Sequence, residues 1–124
     1  MRGKRRDVGP DGDEALQPVF YEVTDGILIF RFSSTRFTLS EAEIIRNVIY
    51  DRFESIVRNV ILNLNGVDYM DSAAISLVVR ITNEMGLRIV NVSGSVESIL
   101  RKMQIYDLLY ILKSEFEARK SYTG

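Results

Sequence analysis

The run Val60-Ile61-Leu62-Asn63-Leu64 is followed at once by Asn65-Gly66 and then, from Asp71 onward, by apolar residues at helical spacing. An unbroken β-branched and aliphatic run suits a strand buried on both faces, and Asn-Gly marks a turn. The chain therefore leaves a central strand, turns and enters a helix, a unit that belongs to an α/β domain. Two carboxylates lie in the connection, Asp68 and Asp71. Asp71 stands where an N-cap residue binds the free amides of a first helical turn, so the helix is expected to start at about Ser72. An acidic loop that ends on a helix N-terminus at the carboxyl edge of a sheet is a common place for an α/β domain to present polar atoms, which makes residues 66–79 the candidate functional surface.

The flanking sequence extends this unit in both directions. Val19 to Val23 and Ile27 to Phe32 are rich in β-formers and are separated by Thr24-Asp25-Gly26, which predicts an antiparallel hairpin. Thr38-Leu39-Ser40-Glu41 and the overlapping Ser40-Glu41-Ala42-Glu43 both fit a capping box. Ile45, Ile49, Phe53 and Ile56 follow at helical spacing and predict a long first helix that ends near Arg58. The second helix is expected over Ser72 to Met85 with Gly86 as its stop, and a strand over Leu87 to Val92. Ser93-Gly94-Ser95 then reads as the cap of a third helix through about Met103, Tyr110 to Leu112 as a short last strand, and Ser114 to Lys120 as a terminal helix. Alternating strands and helices call for a mostly parallel sheet of four to five strands with an antiparallel N-terminal edge and about four helices.

Composition narrows the chemistry. With 124 residues and 46% hydrophobic content, the chain has material for one core, and residues 1–17, which switch from basic to acidic and offer little to bury, read as a flexible arm. Cysteine and histidine are both absent, which removes disulfides, thiolate or imidazole zinc sites and every nucleophile scheme with a Cys or a His base. A net charge of -1 argues against a nucleic-acid surface, and no apolar run is long enough to cross a bilayer, so a cytoplasmic domain without direct membrane insertion is expected. No cofactor and no metal are expected either. Asp68 and Asp71 could in principle act as acid and base or hold Mg²⁺, but no nucleophile or phosphate cradle accompanies them, so the reading is non-catalytic.

Asp71-Ser72-Ala73-Ala74, with apolar residues on both sides, resembles the Asp-Ser-Ser-Gly signature of STAS domains, the sulphate transporter and anti-sigma factor antagonist family. The resemblance runs from about Val19 to Phe116 and implies a STAS domain over residues 18–120. In that family the second serine of the signature usually receives a phosphate from a partner kinase, and phosphorylation releases the partner. Here that position is Ala73. The resemblance therefore implies a module fixed in its unphosphorylated form, or an acceptor moved to Ser72 or Ser76. Ser34-Thr35-Arg36-Phe37 also departs from the acidic Gly-Glu-Leu-Asp-like stretch that touches the kinase in sporulation-type antagonists, and Arg36 reverses the charge there.

Two partner classes follow from the resemblance. The first is a serine kinase or anti-sigma factor, with a PP2C-type phosphatase, in a bacterial partner-switching pathway that controls transcription. The alternative is the ATPase of a lipid-transporting ABC system, which needs no phosphate switch. Either would meet Arg36, Asp68, Asp71, Ser72, Ala73, Ala74, Ile75, Leu77 and Val79. The apolar residues Ala74, Ile75, Leu77, Val78, Val79, Ile81 and Met85 cover roughly 200° of the helical wheel, wider than a half-exposed helix needs. Neighbouring helices could cover the edges. The resemblance favours Ile75, Leu77 or Val79 as part of an exposed patch.

Overall fold

The computed structural model describes residues 17–53 and 58–123, so most of the arm expected over residues 1–17 lies outside the described residues. The hairpin forms as β1 (Val19–Thr24) and β2 (Ile27–Phe32), paired antiparallel. Its two-residue turn has Asp25 at φ 53° and Gly26 at φ 78°, the left-handed pair that matches strand twist in a tight hairpin. Next come β3 (Arg36–Phe37), α1 (Leu39–Asn47), β4 (Asn59–Asn63), β5 (Tyr69–Met70) and α2 (Ser72–Glu84). The chain closes with β6 (Gly86–Val90), α3 (Gly94–Lys102), β7 (Ile111–Leu112) and α4 (Glu115–Thr123). The main sheet has the order β1-β2-β4-β6-β7, with β2, β4, β6 and β7 mutually parallel, while β3 and β5 form a separate parallel pair.

The buried central strand is β4, and alternation along it divides the core in two. Phe30, Leu62 and Ile89 stand side by side in register, and with Leu28, Val60 and Leu87 they pack under α1, α2 and α3. Ile27, Ile29, Ile61 and Val90 point to the opposite face and pack against Ala118 of α4. Covering both faces explains why β4 reads as an unbroken apolar run.

Two boundaries differ from expectation. The first helix does not continue as α-helix towards Arg58: it passes at Val48 into a π-helical segment, Val48–Phe53. Gly86 is not a left-handed stop, because α2 ends on an extended Met85 and Gly86 is the first residue of β6. A β-carbon at Gly86 would stand 3.1 Å from Asn59 Oδ1 and 3.5 Å from the Tyr122 ring, so close packing accounts for this glycine. Sequence periodicity also missed the two-residue strands β3 and β5.

A polar cluster fixes the carboxyl edge of the sheet under α4. Arg31 donates two hydrogen bonds of 2.8 Å to Glu115, and Asn63 Nδ2 donates one of 2.6 Å to the same carboxylate. The Arg31 guanidinium, with help from Asn63, holds the Glu115 carboxyl below its usual range. A depressed native value means that the cluster stabilises the fold above the usual carboxylate range and loses that contribution as pH falls through the lowered value. Glu115→Ala is expected to cost about 1–2 kcal/mol at neutral pH, because it strands two donors at a partly solvated site. Denaturant melts should show the gap to wild type narrowing on acidification. A gap that persists unchanged would assign the loss to packing.

Candidate functional site

The site is built where β2 and β4 deliver their carboxyl ends to two helix starts. After β4 the chain turns through Gly66 at φ +87°, a conformation that a side chain would strain. Val67 N–H then donates to the Leu64 carbonyl at 2.9 Å. Asp68 N–H donates to the Thr35 carbonyl at 2.8 Å, β5 pairs with β3, and Asp71 N–H donates to the Phe37 carbonyl at 3.2 Å. The miniature sheet thus locks the α1 loop to the α2 loop. It also sets Arg36 opposite Tyr69, with the guanidinium 4.5 Å from the ring centre and both side chains exposed.

Asp71 is the N-cap of α2, and its Oδ1 accepts from Ala74 N–H at 3.0 Å. Its Oδ2 accepts from Leu39 N–H, the first residue of α1, at 3.1 Å. One carboxylate therefore neutralises the positive ends of two helices at once, each with an amide that would otherwise lack a partner. The start of α1 is closed on its other side by Glu41, whose buried carboxylate accepts from both Thr38 N–H and Thr38 Oγ1 at 2.8 Å. Of the two candidate capping boxes, the one beginning at Thr38 is therefore the one formed.

Around this clamp the signature residues separate by exposure. Asp68, Ser72 and Ser76 are exposed, and Ala73 and Val79 are half-buried. Ala74, Ile75 and Leu77 are buried, at 0%, 8% and 6% exposure. Of the residues expected in an exposed patch, Ile75, Leu77 or Val79, the first two are thus corrected to buried, and Val79 alone reaches partway to the surface. The Ile75 and Leu77 side chains belong to the core cluster shared with Ile45 and Ile49, because α1 and its continuation lie alongside α2 and cover the wide apolar arc. Between α1 and α2 a groove of about 300 Å³ remains open, lined by Leu39, Ala42, Glu43 and Arg46 on one side and Ala73, Ser76, Leu77 and Arg80 on the other. Sequence reasoning picked out none of Leu39, Arg46 or Arg80 as site residues. Their signal was present as the spacing 39, 42, 43, 46 and 73, 76, 77, 80, which places each set on one helical stripe.

Arg80 is held at the far end of this groove. Its guanidinium lies 4.2 Å from the Tyr50 ring centre and its Nε donates to Glu84 at 3.3 Å, while Tyr50 Oη donates to Glu84 at 2.6 Å. Burial and the bond to the Glu84 carboxylate push the Tyr50 phenol up to about 12. Among the described residues no cluster of three or more Asp and Glu side chains is placed to hold a metal ion. No helix among them is long and apolar enough to cross a membrane.

Comparison with curated proteins finds no match. Among solved structures, an anti-sigma factor antagonist from Mycobacterium paratuberculosis superposes with a TM-score of 0.71 at 12% identity, over 86% of this chain and 93% of that one. The antagonist SpoIIAA in its unphosphorylated form, a Bacillus cell fate determinant, gives 0.67 at 22% identity over 86% and 98%. A sulfate transporter family protein from Wolinella succinogenes gives 0.66 at 16% identity over 82% and 92%. These likenesses establish the fold. The sequence model of the STAS domain matches residues 19–118, a span that takes in the hairpin, the Asp71 clamp and the first turn of α4, and so the chain belongs to the STAS domain family.

Proposed function

We infer that this chain is a non-catalytic interaction module of a partner-switching pathway, acting in the bacterial cytoplasm on a regulatory serine kinase or anti-sigma factor. The docking surface in this reading is the α2 start, comprising Arg36, Asp68, Ser72, Ala73 and Ser76, with Asp71 shaping it. Ala74, Ile75 and Leu77 support it from below, and Val79 borders it. One observation supports the reading: Ala73, which the resemblance puts at the acceptor position, is half-buried beside the open groove and has no hydroxyl. Both Asp71 oxygens are engaged by backbone amides, which supports a structural rather than a catalytic carboxylate. The module in this reading spans residues 18–120.

The missing hydroxyl also favours a second reading, an accessory subunit that clasps the ATPase of a lipid-transporting ABC system. There a fixed surface would serve without phosphorylation. Affinity capture on the wild-type chain, read by mass spectrometry, separates the two. A serine kinase or PP2C-type phosphatase supports partner switching, and an ABC ATPase supports the transporter role. With a captured kinase and ATP, the wild type should keep its unmodified mass and Ala73→Ser should gain one phosphate. A phosphate on wild-type Ser72 or Ser76 would show that the switch has moved.

A further inference from the structure

The groove beside Ala73 has a polarity that its lining makes explicit. At the helix-start end stand Leu39, 54% exposed, and Ala73, over a floor of buried Ala42 and Leu77. At the other end stand two guanidiniums, Arg46 and Arg80, each seven residues further along its helix. At 1.5 Å per residue the two ends lie about 10 Å apart. Arg46 is exposed and makes no hydrogen bond or ion pair among the described residues, whereas Arg80 is already braced by Tyr50 and Glu84. Glu43 is the one carboxylate in the lining and Glu84 already pairs with Arg80, so Arg46 is the cation of this end that stands unpaired among the described residues.

Resting on the docking reading above, we propose that this groove receives an amphipathic helix of the partner protein, with an aliphatic side chain between Leu39 and Ala73 and a carboxylate seven residues away on the same face, between Arg46 and Arg80. A helix fits because the groove is walled by two helices lying side by side. An extended segment would find only side chains here and would leave its own backbone amides without partners. Seven residues are two helical turns, which carries the partner's carboxylate the same 10 Å or so that separates the apolar and cationic ends. The arginines then set register and partner choice, and the apolar end supplies the buried anchor.

The test uses the full chain as bait for a displayed library of helical peptides about 15 residues long. Enriched sequences should carry Asp or Glu seven residues from an aliphatic residue. A fluorescent copy of the best peptide should bind about tenfold more weakly to Arg46→Gln and to Arg80→Gln. A Lys in place of its carboxylate should reverse the preference, so that Arg46→Glu becomes the better binder. Thermal melts of each variant separate a folding defect from a binding defect. Enriched peptides without the acidic residue, binding indifferent to both arginines, or self-association of the chain lost on Leu39→Glu would each overturn the proposal. The partner protein distinguishes its failure from that of the docking reading. If both arginine variants bind it fully and Ala73→Glu does not, the groove is overturned while docking at the α2 start stands. If Ala73→Glu also binds it fully, both fall.

Discussion

Asp71→Ala is expected to lower the stability of the domain by about 2–3 kcal/mol, since a single N-cap is worth roughly 0.5–2 kcal/mol and this carboxylate caps two helices. For a domain of this size that corresponds to a fall in Tm of roughly 10 °C. The side chain accepts from Leu39 N–H and Ala74 N–H, and both amides lose their partner together. Hydrogen exchange at these two amides should accelerate in step, because one group protects both. Asp71→Asn keeps one acceptor oxygen and gives up the charge, so it should lie between wild type and alanine. Asp68→Ala is the internal control. Its side chain is exposed and makes no hydrogen bond among the described residues, so the change should stay within about 0.5 kcal/mol. Equal effects at the two positions would mean that the bridge between α1 and α2 contributes nothing.

How far this arrangement was legible in the sequence depends on how local its causes are. Thr24-Asp25-Gly26 and Asp71 fix their own neighbourhoods through turn chemistry and capping, and the hairpin and the α2 start form where the residues predict them. The buried run at β4 announced helices on both faces of the sheet, and both are there. The bond from Leu39 to Asp71 spans 32 positions and exists only because α1 and α2 begin side by side. Nothing near either residue encodes it. The same holds for β3 and β5, two residues each, whose pairing follows from the docking of two loops and leaves no periodicity to read. The wide apolar arc of α2 signalled that something covers Ile75 and Leu77 but not what. Packing against α1 supplies the cover and leaves Ala73 and Ser76 lining the groove.

Ala73→Glu is expected to weaken partner binding by at least about 100-fold, or about 2.7 kcal/mol, while leaving the fold intact. The two halves of this expectation have separate causes. Ala73 is the second residue of α2, where the helix dipole favours a negative charge, and it is half-buried at the mouth of an open groove, so a longer side chain has room to reach water. Tm should therefore stay unchanged or rise slightly. On the partner's side, a carboxylate fixed at the centre of the contact must be desolvated against a surface shaped for a methyl group, which costs several kcal/mol. Glutamate carries less charge than the -1.5 to -2 or so of a phosphoserine, so Ala73→Ser phosphorylated by a kinase should weaken binding further still. Phe116→Glu places the same charge on α4, on the opposite face of the sheet, at a residue 69% exposed, and should leave affinity within a factor of about two. Titration calorimetry with the captured partner reads both variants in one series. If Phe116→Glu is the variant that abolishes binding, the partner docks on α4 and the α2 start is a structural joint between two helices.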